Sequence, residues 1–328
     1  MPVSPEKAMQ TACAEARKWL GATSPNPAVG AVALDSHGEI LAVTAHTRAG
    51  ELHAEAMLIA KAHSEGFLDK IHTLCVTLEP CNHQGRTPPC VDAIIRSGIK
   101  RVVIGTRDPN PHIKGGGIEK LQQVGIEVVC GVNEEECKQL IHAFAYSVKT
   151  GKPWITVKRA FNTNGTMIPP PGQKVFTSKE SLRLAHRIRK KCDAIITGSS
   201  TVLADSPLFT VRHTPDYLEK RRWLAILDRR GRVPESFATA AKLRHIDTVF
   251  YRDVNEAIKD LAVKGVQDIL VEAGPALSQA ILDAGLWEMA VTIYQGEPDR
   301  VEATFNPRTK LPFDIKQFRW EWWLPEEF

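Results

Sequence analysis

One histidine, one glutamate and two cysteines between residues 53 and 90 are the side chains best suited to chemistry in this 328-residue chain. His53, Cys81 and Cys90 are of the types that Zn²⁺ prefers, and three protein ligands leave a fourth position for a water molecule. Glu55 stands two residues after the histidine, and a carboxylate beside a metal-activated water is what a proton shuttle requires. The pattern therefore predicts a zinc centre that activates water, with Glu55 as its catalytic residue.

The order of these residues, His-x-Glu and then Pro-Cys with a second cysteine, is typical of zinc nucleobase deaminases. The commoner deaminase pattern has two residues between the cysteines, whereas here there are eight, 82–89. Gly85 and the pair Pro88-Pro89 favour a turn that returns the second cysteine to the metal. The alternative is that His53 caps a helix and both cysteines are small apolar core residues. The joint appearance of all the ligand types with the glutamate, in this order, favours the zinc site.

The length and composition indicate a globular chain of two domains. At 328 residues the chain is longer than one core comfortably holds. Hydrophobic residues make up 43% and charged residues 24%, as in ordinary globular proteins. The net charge of +4 is too small and too dispersed for a nucleic-acid groove, so no nucleic-acid partner is expected. A few local Arg and Lys would suffice to bind a phosphorylated small molecule.

Cysteine usage and hydropathy favour a reducing compartment. The seven cysteines are odd in number and lack the spacing of a disulfide framework. The five outside the zinc motif are expected to be structural: Cys13, Cys75, Cys130, Cys137 and Cys192. The first ten residues lack a charged segment followed by an apolar run, and no stretch approaches the ~18 apolar residues of a membrane span. We therefore expect a cytoplasmic enzyme with no membrane partner.

Helical and strand patterns place the zinc ligands at the edge of a sheet. In the first half, strands are predicted over 28–34, 40–45, 73–78, 101–106 and 125–130, and helices over 5–20, 53–65, 91–97 and 133–148. His53 would begin one helix, while Cys81 and Cys90 would bound the loop between a strand and the next helix. That edge is where α/β sheets build sites, and both helix N-termini would favour a hydroxide there.

The polar segment 149–153, which contains Gly and Pro, is the best domain boundary. Beyond it, strands are predicted over 154–160, 194–198, 223–227, 248–251 and 269–272, and helices over 178–190, 254–264 and 275–284. This alternation predicts a second, mostly parallel α/β layer. Residues 201–207 and 271–275 follow strands and are candidates for a ligand edge, although each is equally well explained as a plain strand-to-helix turn.

The chain resembles the bifunctional riboflavin-biosynthesis deaminase/reductases over nearly its full length. The matching residues of the first half are Ser24-Pro25-Asn26-Pro27 with Val29-Gly30, His46 with Ala49-Gly50, His53-Ala54-Glu55, Thr77 to Cys81, His83 with Gly85 to Cys90, and Asp108 to Pro111. The eight-residue gap between the cysteines is that family's own variant. The resemblance implies an α/β fold, with an N-terminal cytidine-deaminase-like three-layer α/β/α domain over 1–148 and a dihydrofolate-reductase-like α/β domain over 153–328.

The resemblance also implies roles for side chains of the first half. His53, Cys81 and Cys90 would hold zinc, and Glu55 would be the proton shuttle. The positions implicated in holding the pyrimidine and its ribose phosphate are Asn26, His46, His83 and Arg86. Taken alone, Asn26 is better explained as a turn residue between two prolines, and His46 as a surface residue. His83 and Arg86 lie in the loop between the two cysteines, so that for them contact with the substrate and a plain surface position are equally open. The implied substrate is 2,5-diamino-6-ribosylamino-4(3H)-pyrimidinone 5′-phosphate, whose 2-amino group is replaced by oxygen.

In the second half, the resemblance implies that NADPH reduces the ribose, opened to its aldehyde, to a ribityl chain. The matching residues are Lys158, Thr177-Ser178, Arg189, Asp193 to Ile195, Thr201 to Asp205, Pro207, Thr210 to Arg212, and Val271 to Pro275. By position, NADPH would contact Thr201, Asp205 and Gly274. The substrate would contact Lys158, Arg189, Arg212 and Glu272, and the two arginines suit its phosphate. The resemblance also implies a homo-oligomer.

Four segments of the second half depart from the family pattern. The first is 162–165, which reads Asn-Thr-Asn-Gly in place of Ser-Leu-Asp-Gly, and the second is the triple proline 169–171, where a small polar loop is expected. The third is Val175-Phe176-Thr177 in place of Trp-Ile-Thr, and the fourth is 295–298, which reads Gln-Gly-Glu-Pro in place of a strand exit of the form apolar-Pro-apolar-Gly. A second hypothesis is therefore a deaminase whose second domain does not reduce, in a related pyrimidine-derived pathway such as the toxoflavin class. A polynucleotide deaminase is disfavoured, because no basic, aromatic-lined surface is evident.

Overall fold

The chain forms two compact units, seen in a computed structural model that describes residues 2–83, 88–110, 116–173 and 175–318. The first unit extends to Thr150 and also includes the later segment Pro312–Phe318. In that segment the Asp314 amide donates to Glu135 Oε2 (2.6 Å), and the Gln139 side chain donates to the Gln317 carbonyl (2.7 Å). The second unit runs from Gly151 to Leu311. The segment 312–318 thus groups with the first unit, although it lies within the range 153–328 expected for the second domain.

A five-stranded sheet forms the centre of the first unit. Its strands are β1 (Gly30–Leu34), β2 (Ile40–Ala45), β3 (Thr73–Leu78), β4 (Arg101–Thr106) and β5 (Glu127–Cys130), in the order β2-β1-β3-β4-β5. Strand β1 is antiparallel to both its neighbours, whereas β3, β4 and β5 are parallel. Every residue of β1 and β3 is buried, because helices cover both faces, and this explains their nearly continuous apolar sequences.

The α-helices of the described part of the first unit are α1 (Pro5–Arg17), α2 (Ala54–Glu65), α3 (Cys90–Ser97), α4 (Gly117–Gln123), α5 (Glu134–Leu140) and α6 (His142–Thr150). Helix α1 packs with α5, and α2 packs with α3, giving the predicted three-layer α/β/α arrangement. The single helix predicted over 133–148 is instead two helices. Ile141 leaves the helical conformation (φ −107°, ψ 15°), and the His142 ring hydrogen-bonds the Gln139 carbonyl at 2.8 Å, which satisfies a group that the break exposes.

The second unit has a seven-stranded sheet. Its strands are β6 (Trp154–Phe161), β7 (Ala194–Gly198), β8 (Arg222–Leu227), β9 (Ile246–Tyr251), β10 (Asp268–Val271), β11 (Met289–Tyr294) and β12 (Arg300–Phe305). The strand order is β12-β11-β6-β10-β7-β8-β9, and only β12 is antiparallel to its neighbour. The predicted, mostly parallel second layer is therefore confirmed. The carboxyl ends of β6, β10, β7 and β8 meet at one edge, where such sheets bind ligands.

The helices of the second unit are α7 (Lys179–Lys191), α8 (Ser199–Asp205), α9 (Glu235–Lys242), α10 (Val254–Val263) and α11 (Pro275–Asp283). Helices α10 and α11 cover one apolar face of the sheet through Leu261 and Ile281. Helix α7 contacts β10 and brings His186 and Arg189 to it. Among the described residues, the helices are all too short or too polar to cross a membrane.

Candidate functional site

The predicted zinc ligands converge in the first unit. His53 immediately precedes α2, Cys81 follows β3, and Cys90 is the first residue of α3. His53 Nδ1 lies 3.6 Å from Cys81 Sγ and 3.4 Å from Cys90 Sγ, and the three ligand atoms all lie within 4.8 Å of one another. The Cys90 backbone N–H donates to Cys81 Sγ at 3.3 Å, which orients that sulfur.

These distances fit a tetrahedral zinc ion. Zn–S bonds of about 2.3 Å and Zn–N bonds of about 2.0–2.1 Å, opened to the tetrahedral angle, separate nitrogen from sulfur by about 3.6 Å. The two observed nitrogen–sulfur separations are 3.6 and 3.4 Å. With three protein ligands, one coordination position stays open for water, as in catalytic rather than structural zinc sites.

The pKa values of the two cysteines are shifted in opposite directions by their contact with each other. The hydrogen bond from Cys90, followed by that from His53, lowers the pKa of Cys81 to about 4. The same contact with Cys81, and burial, raise the pKa of Cys90, so Cys81 is the more acidic of the two thiols. Zn²⁺ binding favours the thiolate form of both cysteines and releases the remaining proton.

Glu55 lies in the first turn of α2 and is only 3% exposed. Burial, and then the negative charge of Cys81, raise the pKa of Glu55 to about 7. A carboxyl group with this pKa exchanges a proton readily near neutral pH, which is the property that general acid–base catalysis needs.

A pocket of about 370 Å³ opens onto these residues. It is lined by His53, Glu55 and Cys81 and, of the predicted substrate residues, by Asn26, His46 and His83. Arg86, the fourth predicted substrate residue, lies outside the described residues. The structure thus brings two of the predicted metal ligands, the predicted shuttle and three of the predicted substrate residues to one cavity.

Asn26 and His46 form a hydrogen-bonded pair in this pocket. His46 Nδ1 lies 3.0 Å from the Leu52 carbonyl, which can only accept, so Nδ1 carries the hydrogen. Burial lowers the pKa of His46, which favours the neutral ring. Its Nε2 is then an acceptor, and it takes a hydrogen bond from Asn26 Nδ2 at 3.2 Å. This arrangement fixes the orientation of the Asn26 amide and leaves its oxygen available to a ligand.

Asp108 and Asn110 also line the pocket, although sequence reasoning assigned them no role. Burial raises the pKa of Asp108, and its Oδ1 accepts the Asn110 amide at 2.9 Å. The loop that carries them is held by buried Glu79, whose two oxygens accept the amides of Asp108 and Ile118, each at 3.3 Å. The feature of the sequence that could have indicated this loop is Glu79, a charged residue directly after a predicted strand of apolar residues.

In the second unit, the predicted substrate residues cluster around Glu272. Arg189 Nε and Nη2 donate to its two oxygens at 2.8 and 2.9 Å, and Lys158 Nζ lies 3.7 Å away. Arg189 Nη1 donates to the Thr210 carbonyl at 2.6 Å, and the side chain is only 12% exposed. Arg189 is therefore engaged with Glu272 and Thr210, whereas the sequence suggested a phosphate as its partner.

Arg212, the other predicted arginine, is exposed and is positioned through buried His186. Its backbone N–H donates to His186 Nδ1 at 2.9 Å, and its Nη1 donates to Thr210 Oγ1 at 3.1 Å. Burial, and then the charge of Arg189, lower the pKa of His186 to about 3, so the ring is a neutral acceptor. Sequence reasoning missed His186, although it stands three residues before Arg189 and so shares its side of α7.

The predicted cofactor residues lie at the carboxyl edge of the second sheet. The Gly274 backbone N–H, in the turn after β10, donates to Thr201 Oγ1 at 3.0 Å. A Cβ on Gly274 would lie 3.4 Å from that oxygen, which is an ordinary van der Waals contact. Asp205 stands one helical turn after Thr201 on α8 and is exposed. This edge, made of small residues, fits a dinucleotide that approaches the backbone closely.

Sequence profiles of two families match the two halves of the chain. The cytidine and deoxycytidylate deaminase zinc-binding region matches residues 3–106, and the RibD C-terminal domain matches residues 153–294. Riboflavin biosynthesis protein RibD of Aquifex aeolicus is 43% identical over 265 residues, which are 80% of this chain and 73% of that protein. RibD of Escherichia coli is 35% identical over 300 residues, which are 80% of each chain.

Solved structures agree with these sequence matches. A diaminohydroxyphosphoribosylaminopyrimidine deaminase/5-amino-6-(5-phosphoribosylamino)uracil reductase from Thermotoga maritima superposes with a TM-score of 0.77 at 36% identity, covering 88% of this chain and 86% of that one. RibD of Acinetobacter baumannii superposes with a TM-score of 0.76 at 28% identity, covering 96% and 92%. The expected resemblance and fold class are therefore confirmed.

The comparisons also bear on the two hypotheses for the second half. Because the RibD C-terminal profile extends over 153–294 and the relatives align across both halves, the hypothesis of a chain that only deaminates is not favoured. The expected cofactors, Zn²⁺ and NADPH, are those that the deaminase and reductase domains imply. This chain belongs to the RibD family of riboflavin biosynthesis enzymes, in which a zinc-dependent deaminase domain is followed by an NADPH-dependent reductase domain.

Proposed function

We propose that the first unit deaminates 2,5-diamino-6-ribosylamino-4(3H)-pyrimidinone 5′-phosphate and that the second unit reduces the ribosyl group of the product to a ribityl chain. The observation that carries the proposal is the convergence of His53, Cys81 and Cys90, whose ligand atoms lie within 4.8 Å of one another. The first two of these line a pocket that Glu55 and Asn26 also line. The domain ranges 1–148 and 153–328 and all the site residues are part of this proposal.

Zinc, when bound, supplies a Lewis acid that makes a water molecule acidic near neutral pH. Glu55 is the proton shuttle. It can take one proton from the attacking water and pass it to a ring nitrogen, and then take the second proton, from the hydroxyl group so formed, and pass it to the amine, which departs as ammonia. Its burial keeps bulk water from competing for that proton.

Asn26 and His46 orient the pyrimidine. The neutral His46 ring holds the Asn26 amide in one orientation, so that the amide presents its oxygen to a ring N–H or amino group of the substrate. His83 lies farther out, on the exposed side of the pocket, and Arg86 follows it by three residues. We assign these two side chains to the ribose phosphate, because Arg binds phosphate bidentately.

NADPH, when bound, supplies the hydride of the second reaction. Thr201, Asp205 and Gly274 would hold it at the carboxyl edge of the sheet. Lys158, 22% exposed and 3.7 Å from Glu272, would donate a proton to the ring oxygen of the ribosyl group, which becomes a hydroxyl as hydride adds to C1′ and the bond from C1′ to the pyrimidine nitrogen is kept. Arg212 would bind the substrate phosphate, while Arg189 keeps Glu272 ionised and in place.

A cytoplasmic homo-oligomer is also part of the proposal. Its location is supported by the seven cysteines, all of which are free thiols. The oligomeric state is measured directly by light scattering of the purified chain.

The decisive experiment is turnover of the diaminopyrimidinone ribotide by zinc-loaded protein, with and without NADPH, read by product mass. We expect ammonia release in both reactions and a ribityl product only when NADPH is present. Ammonia release with a ribosyl product that NADPH leaves unchanged would restore the hypothesis of a deaminase with a non-reducing second domain. Without any ammonia release, the proposed role of residues 53–90 would be wrong.

A further inference from the structure

The segment 312–318 lies against helices α5 and α6 of the first unit. It follows β12 in the chain, yet it belongs to the first unit. The Asp314 amide donates to Glu135 Oε2 at 2.6 Å, and Gln139 Nε2 donates to the Gln317 carbonyl at 2.7 Å. The deamination chemistry proposed above does not use these contacts.

An aromatic contact joins the same segment to the start of α6. The Phe313 ring meets the His142 ring edge-on, with centroids 6.5 Å apart, and Phe318 stacks on Phe313 with centroids 5.1 Å apart. Phe313, His142 and Gln139 are all buried. The segment 312–318 is therefore packed on the helices rather than loosely attached, and we call it the strap.

The strap spans the break between α5 and α6. Ile141 leaves the helical conformation, so the hydrogen bonds of α5 do not by themselves fix the direction of α6. Glu135 and Gln139 lie before the break and His142 directly after it, and all three contact the strap. Contacts on both sides of a break hold the two helices at one angle. The strap therefore helps to determine where the side chains of α6 lie.

One of those side chains, Phe144, forms part of the wall of the deaminase pocket. It stands two residues after His142, which is a rotation of about 200° around an α-helix. The strap and the pocket therefore contact opposite sides of the first turn of α6. Of the described residues, those that line the pocket include none from the strap, so an effect of the strap on the pocket passes through the helices.

We propose that the strap positions Phe144 and thereby sets the affinity of the first unit for its pyrimidine substrate. An aromatic ring contributes to the binding of a planar ligand only at a suitable distance and angle. The zinc ligands and Glu55 lie on other elements, α2, α3 and the loop after β3, so the chemical step should not depend on the strap. This inference rests on the proposed deaminase function of the first unit and adds positioning residues to it.

Steady-state ammonia release by the full-length, zinc-loaded protein tests the strap. Phe313→Ala removes the ring that meets His142. We expect it to raise the KM for the diaminopyrimidinone ribotide by about three- to tenfold, the size of one aromatic contact, with kcat within about twofold. Zinc content, measured by atomic absorption, should be unchanged. Phe318→Ala, which removes only the stacked ring, should raise KM less and serves where Phe313→Ala fails to fold.

Substitution of Phe144 separates positioning from general support of the fold. Phe144→Leu should raise KM by a similar factor. Adding Phe313→Ala to it should raise KM no further, because the strap then has no aromatic ring left to position. Lys316→Ala is the matched control, since it changes an exposed side chain of the same strap, and it should keep the KM and kcat of the wild type.

The position of Phe144 can also be measured without catalysis. A fluorinated phenylalanine placed at position 144 gives a fluorine NMR signal, which should shift in Phe313→Ala and stay in place in Lys316→Ala. A failure of the proposed deamination looks different. In that case the wild type releases no ammonia from the ribotide, while the fluorine signal still shows whether the strap positions Phe144.

Three kinetic results would overturn the inference: an unchanged KM in both Phe313→Ala and Phe318→Ala, a loss of zinc or of kcat without a rise in KM, or independent, multiplying effects of Phe313→Ala and Phe144→Leu in the double variant. The second result would give the strap a structural role only, and the third would mean that it does not act through Phe144. An unshifted fluorine signal in Phe313→Ala would overturn the inference as well.

Discussion

Replacing Glu272 with Gln removes the carboxylate around which the cationic cluster of the second unit is built. In the native structure, two nitrogens of Arg189 lie 2.8 and 2.9 Å from its oxygens, and Lys158 adds a second positive charge at 3.7 Å. The side chains of Glu272 and Arg189 are 9% and 12% exposed, so little water screens the pair. The amide of a glutamine keeps the size of the side chain but leaves the buried guanidinium without a counter-charge.

The pKa of Glu272 gives the magnitude. Burial opposes its ionisation, but Arg189 and then Lys158 outweigh burial and lower the pKa from 4.5 to about 2. At about 1.4 kcal/mol per pKa unit, this lowering corresponds to about 3 kcal/mol of unfolding free energy at pH 7. Because the folded-state pKa is depressed, that stability is fully present above about pH 4.5 and is lost as the pH falls toward 2. The stability difference between wild type and Glu272→Gln should therefore shrink over the same pH range.

Hydrogen exchange read by mass spectrometry suits this test, since the two units need not unfold in one transition. Peptides from β6 and β10 report on the second unit alone. Asp247→Asn is the matched control, because it removes a carboxylate from the exposed pair with Arg221, whose side chains are 51% and 27% exposed. We expect it to cost less than about 1 kcal/mol. If Glu272→Gln lowers the free energy of unfolding of the second unit no more than this control does at pH 7, the desolvation of the buried charges cancels their attraction. The stabilisation inferred from the pKa of Glu272 would then be refuted.

Three further substitutions test the first unit. Glu55→Gln should leave the zinc content unchanged, measured by atomic absorption, while deamination falls by about 10²- to 10⁴-fold, and surviving activity would show that Glu55 is not the shuttle. Cys90→Ser should lose zinc, and full zinc occupancy would remove Cys90 from the ligand set. Gly30→Ala would place a Cβ 2.0 Å from the Ala12 carbonyl oxygen, so that α1 and β1 must separate. The free energy of unfolding of the first unit should then fall by about 1–3 kcal/mol. If the urea concentration at which peptides from β1 lose half their protection from hydrogen exchange does not change, α1 and β1 separate without a loss of stability.

Local patterns predicted the elements that position the metal centre. Strand β2 was predicted at its observed bounds, and β3 and β4 likewise, because buried strands between turn residues have continuous apolar sequences. The centre itself was predictable because ligand type and order are properties of the chain. The distances of 3.4 and 3.6 Å between His53 Nδ1 and the two cysteine sulfurs could not be predicted from the sequence, since they depend on how α2 and α3 pack.

Elements that depend on tertiary contacts were missed. Helix α8 has only seven residues, too short for a helical period to show in the sequence. The hairpin of β11 and β12 carries a turn that lacks the usual Asn-Gly or Asp-Gly signal. The break between α5 and α6 is accompanied by a bond from the His142 ring to a carbonyl three residues earlier, a contact of one particular side chain. Helix propensity does not include such a bond.

The ion pair of Arg189 with Glu272 also could not be read from the sequence. An arginine in a helix beside a predicted ligand edge suits a phosphate, and that was the expectation. In the fold, Glu272 arrives from β10, 83 residues later in the chain, and takes two of the arginine's donors. A charge partner so distant in sequence depends on the pairing of strands. The arginine nonetheless acts at the predicted site, because it keeps that carboxylate ionised.

The departures from the family pattern in the second unit interact with one another. Asn162 closes its own turn: its Oδ1 accepts the amides of Asn164 and Thr166, each at 3.0 Å, and its Nδ2 donates to Thr166 Oγ1 at 2.9 Å. The Thr163 amide, in the same turn, donates to the side chain of Gln295 at 3.2 Å, which belongs to another departing segment. Two changes that each read as the loss of a family feature thus form one hydrogen-bonded unit at the ends of β6 and β11. Such mutual compensation is expected where a sequence has diverged while its fold is kept, and it agrees with the match of the reductase profile across this region.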